Sequence, residues 1–127
     1  NSMIESSKYS EYDLIDTLLN KDARGFLKVS SYLREIDTSL SYIIFLVNQE
    51  LEKIYSLIKP TTSKPYIPSF LMTKYTSASK RYTLDELLFL LKNIASIDIK
   101  SKYMSKKSNP WVSFNSLFHN LMSKRAE

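Results

Sequence analysis

Cysteine is absent from this chain, and glycine and histidine occur once each, at Gly25 and His119. Without cysteine there is no disulfide, no thiolate nucleophile and no cysteine-based zinc site, and the chain suits a reducing compartment. One histidine leaves a metal cluster short of ligands, and a Ser-His-Asp arrangement has no strand-turn-helix context to sit in. His119, beside Phe118, therefore reads as a surface or half-buried side chain. A single glycine inside a helical pattern cannot make a phosphate-cradling loop, which removes nucleotide hydrolysis of that kind. One glycine and four prolines are also too few for a sandwich or barrel, which needs a turn signal every ~8–12 residues. Long apolar runs are missing too. The longest, Tyr42–Val47, falls far short of the roughly 20 residues that span a bilayer, so no membrane role is expected. The polar start Met3–Ser7 carries no secretory leader pattern.

What remains is the composition of a globular protein: 127 residues, 43% hydrophobic and 24% charged. That length suits one domain with a sizeable core. The expected organisation is a lead-in from an upstream domain over 1–10, a helical domain over 11–122 and a frayed tail over 123–127. No internal repeat is visible.

Hydrophobic spacing reads as helix almost throughout, giving an all-α bundle of about six helices with no sheet. The first runs from Glu11 to Leu19, capped by Ser10, with Asp13 at its positive end and Leu14, Ile15, Leu18 and Leu19 on one face. Asp13 and Asp16 lie three apart, and capping and solubility explain them better than paired acid chemistry. Asp22 caps a second helix reaching Leu33, in which Gly25 costs about 1 kcal/mol relative to alanine unless another element packs closely there. Asp37 or Thr38 is expected to cap the longest helix, ending near Ile58. Its stripe runs from Leu40 through Ile43, Ile44, Val47, Leu51 and Ile54 to Ile58, and Phe45, Leu46 and Tyr55 widen it beyond what a surface helix needs.

Lys59–Pro65 reads as a loop. Pro68 can then occupy a helix's first turn, with Phe70, Leu71, Tyr75 and Ala78 as its contacts. Thr83 and Glu86 have capping-box spacing, with Tyr82 and Leu87 placed as a hydrophobic staple. The core face of that helix is expected at Leu84, Leu87, Leu88, Leu91, Ile94 and Ala95, with Phe89 and Leu90 as surplus. Asp98 stands one turn before Lys102, an i,i+4 pair worth about 0.2–0.5 kcal/mol. Asn109 and Pro110 open the last helix, whose inward face is Trp111, Phe114, Leu117, Phe118, Leu121 and Met122.

Charge is unevenly spread. Residues 1–60 carry seven Lys/Arg against nine Asp/Glu, while residues 61–127 carry eleven against four. The densest part, Lys100, Lys102, Lys106 and Lys107, can neutralise phosphates or meet an acidic partner, and Tyr103 and Trp111 lie nearby. A ring exposed there would stack on an unpaired base, although Trp111 reads better as a core anchor. No catalytic residue, metal ligand or cofactor site emerges. Two functions from different classes stay open: an assembly module, motivated by the surplus apolar width, and a basic helical domain binding DNA directly.

The order of these signals resembles the C-terminal domain of the bacterial DNA polymerase III delta family of clamp-loader components. Tyr12-Asp13-Leu14-Ile15-Asp16-Thr17-Leu18-Leu19 is similar to that domain's opening, and Asp22-Ala23 to its second helix start. Ile67-Pro68-Ser69-Phe70 through Lys74 resembles its proline-phenylalanine helix with a lysine. Ala78 to Thr83 looks like its interhelical connection, Asp98 to Lys102 like its Asp-x-x-x-Lys, and Asn109-Pro110-Trp111 with Leu117 like its last helix. The resemblance spans about residues 12–122. Thr17 stands where alanine is usual, Phe26 where a small residue is typical, and Asn115 at a position often acidic. The resemblance implies a non-catalytic domain of a cytoplasmic replication complex, whose other parts include a DNA polymerase. It would join gamma/tau and delta-prime subunits in a collar, leaving the sliding clamp to an N-terminal part and primer-template DNA to the assembled loader. It assigns structural roles to Asp16, Pro68, Phe70, Asp98, Lys102, Pro110 and Trp111.

Overall fold

The computed structural model describes residues 8–60, 65–103 and 109–124. These form six α-helices: α1 Glu11–Leu19, α2 Ala23–Glu35, α3 Leu40–Ile58, α4 Met72–Ser79, α5 Leu84–Tyr103 and α6 Pro110–Ser123, with a 3₁₀ turn at Ser69–Leu71 ahead of α4. No strand occurs among the described residues.

Side-chain caps set most of the helix starts. Ser10 and Asp13 form a reciprocal capping box at α1, and Asp22 accepts the Gly25 amide at 3.0 Å to start α2. Thr83 and Glu86 exchange bonds of 2.9 and 3.1 Å at α5, and Asn109 accepts the Trp111 amide at 3.0 Å with Pro110 in the first turn of α6. Each satisfies amides that the helix itself leaves unpaired.

The start of α3 differs from expectation. Its cap is Ser39, which accepts from the Tyr42 amide at 3.3 Å, not Asp37 or Thr38. Asp37 is committed elsewhere: it takes a left-handed φ of 62° and closes the end of α2, where the Thr38 amide reaches back to the Leu33 carbonyl at 3.0 Å. A residue that terminates one helix in this way cannot present its side chain to the next.

Three smaller expectations also shift. Pro68 precedes the 3₁₀ turn with an extended ψ of 143°, and so lies outside the first turn of α4. α2 runs two residues past Leu33, to Glu35. α6 runs through Ser123, one residue into the expected tail, while 125–127 lie outside the described residues.

The helices close on themselves. α1 packs on α2, α2 on α6, α6 on α5, α5 on α3 and α3 back on α1, with α4 lying against both α3 and α1. Phe26 stacks on Phe118 at 4.9 Å, Phe114 lies 4.9 Å from Phe118, and Trp111 meets Phe114 edge-on at 5.9 Å. This aromatic cluster joins α2 to α6, and Trp111, half-buried, anchors its edge. A Cβ at Gly25 would run into the Asp22 carboxylate that caps its own helix, and would lie 3.1 Å from the Thr17 methyl of α1. The close approach is thus by the cap and by α1.

Asn115 sits among these apolar side chains with 9% exposure, and its Oδ1 has no hydrogen-bond partner among the described residues. A buried carbonyl without a donor costs about 1–3 kcal/mol. Asn115→Leu, which keeps the branched outline, is therefore expected to raise unfolding stability by about 1 kcal/mol. Urea denaturation checks this, and a loss of stability would contradict it.

Candidate functional site

α3 and α5 run antiparallel, since Ser41 near the start of α3 donates to Asp98 near the end of α5 at 3.4 Å. Asp98 also holds Lys102 at 3.2 Å, the expected one-turn pair, and so is shared between the two helices. The buried side of α5 is Leu87, Leu90, Ile94 and Ile97. This corrects the expected face: Leu88 and Ala95 are exposed, Leu84 and Leu91 lie half-buried at the margin, and Leu90, expected as surplus, is in the core.

Turning α5 this way leaves a stripe facing outward. Leu88, Lys92, Ala95 and Ile99 follow one another at helical steps of four, three and four, all exposed, with Ile99 at 59%. On α3, Phe45 is 57% exposed and lies one turn beyond Ser41. The antiparallel register sets it level with the turn of α5 that carries Ala95. Of the three residues expected to widen the α3 stripe, Leu46 and Tyr55 are half-buried and Phe45 is out. The outer side of the α3–α5 pair thus carries Phe45, Leu88 and Ile99 in solvent, over a core already closed beneath them.

A second apolar exposure lies on α1 and α4. These helices are parallel, because their C-terminal ends are tied together. The Tyr82 hydroxyl donates to the Leu18 carbonyl, Arg81 donates to the Leu19 carbonyl at 3.2 Å, and Lys21 reaches both the Arg81 carbonyl at 3.0 Å and Glu86 at 3.2 Å. Asp16 pairs with Lys74 across the same two helices at 2.7 Å. Four residues earlier stand Tyr12 on α1, 70% exposed, and Phe70 just ahead of α4, 83% exposed. Phe70 was expected as a packing contact of α4. It is instead carried on the 3₁₀ turn, which rotates it away from the buried side marked by Tyr75 and Ala78.

Between these faces lies a buried tie that the spacing of residues does not announce. The Tyr75 hydroxyl of α4 donates to Glu50 of α3, and Lys53 pairs with the same carboxylate at 3.1 Å while lying 5.3 Å from the Tyr75 ring centre. Burial, and then the bond to Glu50, push the Tyr75 hydroxyl well above its ordinary ionisation range. Tyr82 is pushed up in the same direction, mostly by burial and then by the Glu86 carboxylate. All three members of the Glu50 group find partners, so it fastens α4 to α3 and offers no free group for chemistry.

Lys100 and Lys102 are exposed on the last turns of α5, and Lys106 and Lys107 lie outside the described residues. Lys100, Pro110, Ser96 and Ser113 border a groove between α5 and α6. His119 is half-buried on α6. Among the described residues no group of three or more His, Cys, Asp or Glu is placed to hold a metal ion, and no helix is long and apolar enough to cross a membrane. No protein-family model matches the chain, and comparisons with curated proteins and with solved structures find no match.

Proposed function

We propose that this chain is a non-catalytic assembly domain, the collar-type C-terminal domain of a DNA polymerase III delta subunit. In this reading it helps build the clamp loader that places the sliding clamp on primed DNA. The observation that carries the reading is the outward stripe of Phe45, Leu88 and Ile99 on the α3–α5 pair. Large apolar side chains left in water over a completed core mark a surface that another protein covers. The separate exposure of Tyr12 and Phe70 supports two neighbours, as a member of a closed ring requires. Gamma/tau and delta-prime subunits are the partners that the sequence resemblance supplies. The competing reading, direct DNA binding through the basic end of α5, has Lys100 exposed for it, whereas Lys102 is already paired with Asp98 and Lys106 and Lys107 lie outside the described residues.

Size-exclusion of the chain with purified gamma/tau subunits tests the proposal. Co-elution is expected, and a Phe45→Ser, Ile99→Ser double variant should bind at least tenfold more weakly, about 1.4 kcal/mol. Its melting temperature should fall only slightly, because both side chains are already more than half exposed. Separate elution at both low and moderate salt would overturn the reading.

A further inference from the structure

The α5–α6 hairpin carries a trough that the assembly reading does not use. Two depressions, of about 350 and about 400 Å³, lie in line along the seam of the two helices and share Leu117 and Asn120 in their walls. Its two ends differ in chemistry. Toward the start of α5 the lining is Phe89, Leu117 and Leu121, with Asp85, Glu86 and Lys124 at the rim. Toward the end of α5 the walls are Ser96, Ser113, Ser116 and Asn120, with Lys100 at the margin and no carboxylate in the lining.

These wall groups are available. Among the described residues, none of those three serines or Asn120 spends its side chain on a hydrogen bond, and Lys100 makes no ion pair. Hydroxyls and amides both donate and accept. A helix laid in the trough would already have its backbone groups bonded internally. An extended chain would bring free N–H and C=O groups that need partners.

We infer that this trough binds an extended peptide segment of a partner protein, with an apolar side chain against Phe89, Leu117 and Leu121 and a carboxylate at Lys100. The spacing follows from the helix. Phe89 and Lys100 are eleven residues apart on α5, about 16 Å at 1.5 Å per residue, which an extended chain covers in about five residues at ~3.3 Å each. The recognised pattern is thus an apolar residue and an Asp or Glu about five positions apart.

The test is an NMR titration of the ¹⁵N-labelled 127-residue chain with a pool of acetylated heptapeptides. These carry Leu, Ile or Phe at one end, four small polar residues, and two acids at the other end, in both chain orders; a second pool is lysine-ended in place of the acids. Saturable shifts are expected at the amides of Ser96, Lys100, Ser113, Leu117 and Asn120, at least fivefold weaker for the lysine-ended pool. Lys100→Glu should weaken the acidic pool at least fivefold without moving the melting temperature, while Phe45→Ser should leave binding unchanged. That last arm separates this site from the α3–α5 face, so either can fail alone. Absence of saturable shifts, equal response to both pools, or shifts confined to other helices would overturn the inference. So would saturation at these residues by an eight-nucleotide thymidine strand but not by the acidic peptides.

Discussion

Phe118→Ala is expected to lower the unfolding free energy by about 3–5 kcal/mol, the usual loss when a fully buried phenylalanine is cut back to its Cβ. Phe118 is completely enclosed, stacks on Phe26 at 4.9 Å and packs against Phe114 at the same distance. Truncation would open a void at the centre of the α2–α6 contact, between the Phe26 and Phe114 rings. Since a domain of this size is stable by only about 5–15 kcal/mol, a large part of the total would vanish. Urea denaturation reads this as a fall in midpoint at unchanged slope. A loss under about 1 kcal/mol would mean that the cluster is not the seat of the core.

Alkaline instability is the second large effect. Tyr75 and Tyr82 both ionise above their ordinary value of 10.0 when folded, chiefly because burial penalises the phenolate. Their folded values are raised, so the folded chain keeps two protons that the unfolded chain gives up above pH 10. The stability they lend is complete below that point and is lost as the pH climbs toward the folded values. Each such hydroxyl releases its proton on unfolding, so stability should fall with pH, by up to about 1.4 kcal/mol per pH unit for each, once the unfolded tyrosines are ionised. Tyr82→Phe should make that slope shallower, while costing about 1 kcal/mol at neutral pH through the lost bond to the Leu18 carbonyl. Urea titrations between pH 10 and 12 measure both, and a flat profile in the unmodified chain would refute the assignment.

Local signals made much of the architecture readable in advance. Ser10, Asp22, Thr83 and Asn109 each start a helix where their short polar side chains suggested, because a cap acts within three residues and needs no tertiary information. Asp98 and Lys102 pair for the same reason. The phase of α5 was harder. Leucine or phenylalanine occupies most positions from Leu84 to Leu91, so periodicity alone could not choose between faces, and packing on α3 and α6 chose Leu87, Leu90, Ile94 and Ile97. Asp37 was misjudged as a cap because its left-handed backbone was not visible in residue type.

Contacts between distant parts of the chain were not legible at all. Glu50 with Tyr75, Asp16 with Lys74 and Lys21 with Glu86 join residues 25 to 65 positions apart, and nothing in their immediate neighbourhoods marks them. The candidate faces were half readable: surplus apolar residues on α3 and α5 were evident, but which of them end in solvent depended on helix rotation.

The closed order of the helices also bears on how the chain is made. Phe26, near the beginning, finds its stacking partner only on α6, the last helix. A ribosome must therefore carry synthesis through the sixth helix before the second can bury its ring. Until then the nascent α2 shows water a greasy side, the kind of exposure that attracts holding chaperones. Stopping translation at residue 109 would strand that helix without its cover.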